Sequence, residues 1–453
     1  MEHNGEFRSL PVSFVPTPTR AFREHRKTVQ ATLQPGRPPV VAVTPTPIPI
    51  PLPIIAGSRV LIYKQDPSVG EIGIRKSFLP QVVLAGPKDA RIEIQGLPTV
   101  TPNAFGDLIE APGTDAFDAV HTFAIVRETL TMYQRALAGA ALPWQWNSAT
   151  NSDRLNVFPH AGITQNAFYS RADKALKFFF FDTSTPAPAH RVFTCRSLDI
   201  VAHETGHAVL DGLKPHWIDS AGPPQTGGMH ESFGDLTAIF LALSQFDQVE
   251  AVIAQTKSNL HDKTFLADLA EEFGLALGRP NGLRNADNDL TLSQVGTEVH
   301  AISQVFTGAI YDILADIFAF TRNPARKDDA ATLYDAAKYL QSLLIRAILA
   351  APAAAATFAD VANQMLVIAA ADAAPVQYRN FIRNRFTLRE VVVSPTPLTA
   401  DHDPKTTLQA NIQDAAGAPQ DRRGCCGTMN LHEFTGGATA LQQDLDELKK
   451  AVA

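Results

Sequence analysis

The chain is poor in cysteine, in charge and in unbroken apolar runs. Three cysteines in 453 residues leave one unpaired in any scheme, which excludes a fold built on disulfides. Charged residues make up only 19%, and a formal net charge of −7 with a pI near 6.0 offers no basic excess, so neither nucleic acid nor a membrane surface is expected as a partner. The apolar stretch PVVAVTPTPIPIPLPIIAG at 39–57 is interrupted repeatedly by proline and does not read as a transmembrane helix. At the N-terminus, MEHNGEFRSL has neither the basic start nor the apolar run of a secretory signal, which points to the cytoplasm or to a non-classical export route.

What the chain does have is size and apolar content. At 45% hydrophobic it can bury a large core and build two or three structural units. Residues 1–56 are proline-rich and read as an extended arm or pro-segment. From 59 to 100, RVLIYK and ARIEIQG cluster β-branched residues between turn signals and predict strands, and a helix is predicted over about 115–138. Strands follow at NAFY and LKFFFF, and residues 250–388 are alanine-rich and mostly helical. The tail from 391 to 453 carries the vicinal pair Cys425 and Cys426 and ends in ATALQQDLDELKKAV, whose spacing is that of a solvated helix.

One pattern carries chemistry. In HETGHAVLDG, His203 and His207 stand four apart, which on a helix puts both imidazoles on one face and lets a single Zn²⁺ bind both. Glu204 is rotated off that face, the place of a general base on water held by the metal. Ser197 can cap this helix, and Gly206 inside it calls for a close neighbour. Glu231 lies 24 positions after His207, with Asp235 four further on, so both carboxylates share a face of a second helix. A catalytic zinc takes three protein ligands, which here would be His203, His207 and Glu231, and Asp235 would fix the tautomer of a zinc histidine.

This pattern resembles the thermolysin-like gluzincin metallopeptidases, and further segments match in the family's order over roughly residues 115–390. NAFY resembles the family's substrate-holding edge strand, with Asn166 and Ala167 gripping the peptide backbone. Asp199 matches the acidic residue one turn before the first zinc histidine, which implies that, like Asp235, it supports a zinc ligand from behind. EVHAISQVFTGAIYDIL at 298–314 resembles the segment that carries the transition-state histidine, here His300. GLRNADN resembles the segment whose arginine contacts a substrate carbonyl, here Arg284. The resemblance implies an α+β fold of thermolysin-like zincin type. A mixed β/α N-terminal lobe (57–220) would carry the zinc helix, a mainly helical lobe would span 221–390, and the active site would lie in the cleft between them. It also implies one zinc ion, a protein or peptide substrate, and Ile200 and Leu283 around a bulky apolar side chain. Calcium is not expected, because the run from Asp235 to Ile253 offers only Asp247 and Glu250 as acids. A metzincin is excluded, since Leu210 and Leu213 occupy the required Gly and third-His positions.

The chain also departs from the family. The loop after His207, with Pro215, Pro223 and Pro224, is longer than usual. It lacks the tyrosine that helps to stabilise the oxyanion, leaving His216 or Trp217 as substitutes. His230 replaces an asparagine, and Val295 stands where an aspartate would orient His300, with Glu298 the nearest acid. The expected activity is therefore a zinc endopeptidase. The alternatives are a catalytically weakened, zinc-binding interaction protein and a zinc exopeptidase on short peptides. A thiolate of Cys425 or Cys426 could cap the metal as an inhibitory switch. The sequence carries no indication of oligomeric state.

Overall fold

A computed structural model describes residues 57–69, 73–219 and 222–392. The readings placed on the proline-rich arm, on Cys425 and Cys426 and on the terminal helix lie outside the described residues.

The first half is built mainly from strands. β1 (Ser58–Tyr63) pairs antiparallel with β2 (Ile74–Leu79). β3 (Ile92–Ile94), β4 (Leu155–Phe158), β5 (Ala167–Ser170) and β6 (Ala175–Phe178) form a mixed sheet in the order β3-β4-β6-β5, which leaves β5 on the edge. β7 (Phe180–Thr183) and β8 (His190–Phe193) form a hairpin. Between β3 and β4 runs α1 (Asp115–Ala136), close to the predicted span and capped by Thr114.

Beyond β8, the secondary structure of the described residues is helical apart from β9 (Asp268–Leu269) and β10 (Arg284–Asn285). The helices are α2 (Leu198–Leu213), α3 (Pro224–Leu243), α4 (Phe246–Thr256), α5 (Glu271–Ala276), α6 (Val299–Thr321), α7 (Asp329–Ala350), α8 (Phe358–Ala371) and α9 (Val376–Leu388). Strands first and helices after, with little alternation, is an α+β arrangement.

Helix α3 is the centre of this assembly. All 20 of its residues are buried, with α2 and α6 as its most extensive neighbours. It begins at Pro224, inside the stretch predicted to be loop: proline breaks a helix interior, but at the first position its missing N–H is harmless. In a wholly buried helix a hydroxyl is costly unless it is bonded, and the three hydroxyl side chains of this helix all have partners. Thr226 donates to the Ala356 carbonyl at 2.9 Å, Ser232 accepts from Thr307 at 2.8 Å, and Thr237 meets the Tyr133 hydroxyl at 2.8 Å.

α2 is capped by the Ser197 side chain, as its sequence predicts, and β5 is clamped to it. The Tyr169 hydroxyl donates to Asp211 at 2.6 Å, and Arg171 pairs with the same carboxylate. α6 is the single described helix long and apolar enough on its own to cross a membrane, and 83% of that window is buried within the protein, so core packing accounts for its hydropathy.

The contact that Gly206 calls for is α3. A Cβ on Gly206 would lie 2.7 Å from Thr237 Oγ1 and 3.2 Å from the Gly234 Cα. Alanine there gains about 1 kcal/mol of helix propensity but overpacks against backbone at a cost of roughly 1–3 kcal/mol. Gly206→Ala is therefore expected to lower the denaturant midpoint; an unchanged or raised midpoint would show that the two helices are not held this close.

Candidate metal centre

His203 and His207, both buried, project from α2 towards Glu231 of α3. His203 Nε2 lies 3.5 Å from one Glu231 oxygen and His207 Nε2 lies 3.5 Å from the other. Two ligands on a tetrahedral ion at about 2.0–2.1 Å stand roughly 3.3–3.4 Å apart, so the spacing suits a small cation between these atoms. The ligand atoms of His203, Glu204 and His207 also lie within 4.8 Å of one another, and this group could hold a metal. Burial alone would raise the Glu231 carboxyl, but the facing His300 outweighs it and holds it well below the usual carboxylate range. Burial holds His207 well below the usual imidazole range, so its ring is neutral and can offer a lone pair.

Each ring is oriented from behind. His203 Nδ1 lies 3.0 Å from Asp235, as the four-residue spacing predicts. Asp235 is in turn gripped by Arg284, whose Nη2 and Nε lie 2.6 and 2.9 Å from its two oxygens. Arg284 thus braces a histidine as well as lining the cavity beside it. His207 Nδ1 lies 2.7 Å from His230 Nδ1. With His207 presenting Nε2, its Nδ1 carries the hydrogen and His230 must accept it; burial depresses His230 to about 3, which keeps that ring neutral and able to accept. The residue that departs from the family pattern therefore does an orienting job. Glu298 does another: it caps α6 through Ala301 N–H at 2.7 Å and meets His300 Nδ1 at 2.6 Å, the contact that Val295 cannot make. His300 Nε2 lies 3.2 Å from Glu231.

Glu204 is 1% exposed, and its Oε2 accepts the Tyr169 N–H of β5 at 3.0 Å. A small cavity opens beside it, lined by Ala167, Ile200, Phe273, Leu283 and Arg284 among others. Asn166 turns its side chain onto its neighbour, Oδ1 accepting from the Ala167 N–H at 2.8 Å.

Three expectations are corrected. Trp217 cannot replace a tyrosine, because it is fully buried and its indole N–H donates to the Pro352 carbonyl. His216 is largely exposed and bonded to Asp219. Asp199, expected to support a zinc histidine, accepts instead from the Ala270 N–H at 3.3 Å and sits in a buried acidic group with Asp66, Glu271 and Glu272. Sequence reading sought acids only within twenty residues of Asp235 and missed these, which come from three distant segments with no local signal.

The comparisons add little. No protein-family model matches the chain, and no curated protein matches its sequence. Among solved structures, the precursor of protealysin, a metalloproteinase from Serratia proteamaculans, is similar at a TM-score of 0.44 and 15% identity, covering 70% of this chain and 89% of that one. A likeness this distant carries no argument about activity, which rests on the geometry.

Two outcomes follow. His230→Leu, which removes the acceptor behind His207, is expected to weaken metal binding by about 10–100-fold, whereas His230→Asn keeps an acceptor and stays within a few fold; equal affinities by equilibrium dialysis would dismiss the orienting role. The acidic group predicts a pH slope. Burial, then Asp66, push Glu272 up to about 7, and burial, Asp66 and Asp199 push Glu271 well up. Unfolded glutamates titrate near about 4.3. Between roughly pH 4.5 and 7 the folded protein therefore holds a proton here that the unfolded chain releases, and the contribution of these carboxyls to stability falls as pH rises through that window, against the opposite contribution of His207 and His230, whose folded rings stay neutral. Relative to the parent, the profile of denaturant midpoint against pH should tilt upward across that window in Glu272→Gln; parallel profiles would count against the shift.

Proposed function

We propose that this chain is a zinc-dependent endopeptidase with a thermolysin-like α+β zincin fold, its active site in a cleft between a mixed β/α lobe and a helical lobe. The observation that carries the reading is the convergence of two Nε2 atoms on the two oxygens of Glu231, each at 3.5 Å, with Glu204 beside them. His203, His207 and Glu231 hold the ion: two neutral imidazoles and a carboxylate match zinc's preference for nitrogen and oxygen donors and leave one position open. When bound, zinc supplies a Lewis acid for the scissile carbonyl and lowers the pKa of water at the site.

The chain's own residues do the rest. Glu204, kept in place by the Tyr169 N–H, takes the proton of the attacking water at its carboxylate and delivers it to the leaving amine. His300, set by Glu298, donates from Nε2 to the developing oxyanion. Asn166, which directly precedes the edge strand β5, and Ala167, its first residue, hold the substrate main chain as an added strand. Ile200, Phe273 and Leu283 admit a bulky apolar side chain. Arg284 is paired with Asp235, so it is poorly placed to capture a free terminus, which favours an endopeptidase over an exopeptidase.

A second reading has one observation behind it. His300 Nε2 is at least as close to Glu231 as the two ligand histidines are, and a fourth protein ligand would close the site and leave a zinc-binding protein without catalysis.

Cleavage of unfolded casein separates the two. For the endopeptidase, Glu204→Gln lowers kcat by at least about 100-fold at unchanged zinc content, and a chelator abolishes cleavage. His300→Ala then reduces kcat while leaving zinc affinity intact. A large loss of zinc affinity in His300→Ala, with no Glu204-dependent cleavage in the parent, would establish the closed site instead.

A further inference from the structure

Glu204 and Asp211 stand seven positions apart on α2, which puts them on one face of the helix, about 10 Å apart along its axis. One residue of the edge strand reaches both. Tyr169 donates its backbone N–H to Glu204 at 3.0 Å and its hydroxyl to Asp211 at 2.6 Å. Tyr169 and Asp211 are both fully buried, so water does not compete for the hydroxyl bond.

Arg171, two residues beyond Tyr169, grips the same carboxylate. Its Nε donates to Asp211 Oδ2 at 2.9 Å and its Nη2 to Oδ1, a forked pairing that fixes geometry as well as charge. That Nη2 also donates to the Pro215 carbonyl, and Nη1 lies 3.6 Å from Asp219, so the side chain ties the loop after α2 into the same cluster. Asp211 thus receives three bonds from two residues of one short segment, and both of its oxygens are used.

The place of that segment gives the cluster a consequence at the reacting centre. β5 is paired on one side only, with β6, and this ladder fixes its position within the sheet. Its register along α2 comes from its contacts with that helix. A substrate added to β5 as a further strand moves with β5, so its main-chain bonds survive a small slip of the strand. What a slip loses is the alignment of the scissile bond with Glu204, which stays on α2, and a misplacement of about 1 Å can cost on the order of 100-fold in rate.

We infer that Asp211 is a positioning residue for the reaction: through the Tyr169 hydroxyl and Arg171 it sets the register of β5 along α2, and so brings the substrate main chain into line with Glu204. The inference rests on the endopeptidase reading of the site.

The test combines kinetics with hydrogen exchange on the full chain. Tyr169→Phe removes one bond and leaves the Arg171–Asp211 pair in place, so folding is not at stake; Arg171→Ala removes the other arm. With a quenched fluorogenic peptide blocked at both termini, each is expected to lower kcat by about 10–100-fold while KM stays within about twofold. Because both act through one carboxylate, the double variant should lose little more than the worse single one. Asp211→Asn, which keeps an acceptor for the tyrosine, should retain more kcat than Asp211→Ala. Residue-resolved exchange gives a readout independent of turnover: the Tyr169 amide should exchange at least about tenfold faster in both single variants, with the amides of β6 unchanged. Unchanged kcat, losses that multiply in the double variant, or an unaltered Tyr169 amide would overturn the assignment while leaving the endopeptidase standing. A parent chain without cleavage that Glu204→Gln abolishes would instead sink the endopeptidase reading, and the positioning role with it.

Discussion

Helices α2 and α3 approach each other with almost nothing between them, and the metal centre depends on that approach. Gly206 faces Thr237 and the Gly234 backbone, while a Cβ on Gly234 would fall 2.6 Å from the His203 ring. Any larger residue at either position would push apart the two helices that supply the three candidate ligands. The helix-breaking tendency of glycine is the lesser cost: two glycines in helix interiors forfeit about 2 kcal/mol of propensity, and the return is a separation that lets a glutamate on one helix reach both imidazoles on the other.

Burial makes this arrangement electrostatically consequential. The candidate ligands lie in a wholly buried helix and its neighbour, where an unaccompanied carboxylate or cationic ring would be destabilising by several kcal/mol. The charged groups are met by specific partners: Glu231 by His300, Asp235 by Arg284, His300 by Glu298. Each ring faces a defined acceptor behind it, so its tautomer is set by the protein. The acidic group around Asp66, Asp199 and Glu271 shows the alternative: with no cation close enough, burial leaves those carboxyls favouring the protonated form.

The parts of this that were legible in sequence are those governed by local periodicity. Four-residue spacing on a helix is a geometric fact, so the shared faces of His203 with His207 and of Glu231 with Asp235 follow from it, as do the Ser197 cap and the close neighbour at Gly206. Positions whose meaning depends on another segment were not legible. His230 is an isolated oddity until α3 packs on α2 and brings it to His207, and Glu298 matters only because the cap it forms turns its other oxygen to His300. The start of α3 was missed for a local reason, since proline reads as a break unless the first helical position is already known.

Whether the metal position is open or closed by His300 can be argued from what surrounds it. A closed structural site needs four ligands and a dry, inert shell. Here the shell contains a further buried carboxylate, Glu204, held by a backbone N–H from an edge strand and bordering an apolar cavity. A structural centre would use such a carboxylate as a ligand or do without it, whereas a hydrolytic one needs it beside the ion and unligated, where it can hold water. The Glu298 contact points the same way: a carboxylate at 2.6 Å fixes the His300 ring so that its other nitrogen faces the centre, the posture of a donor to charge that develops there during reaction. The cavity, the edge strand and the buried Glu204 carboxylate fit an open coordination position better than a closed one, which is why the hydrolytic reading is proposed ahead of the structural one.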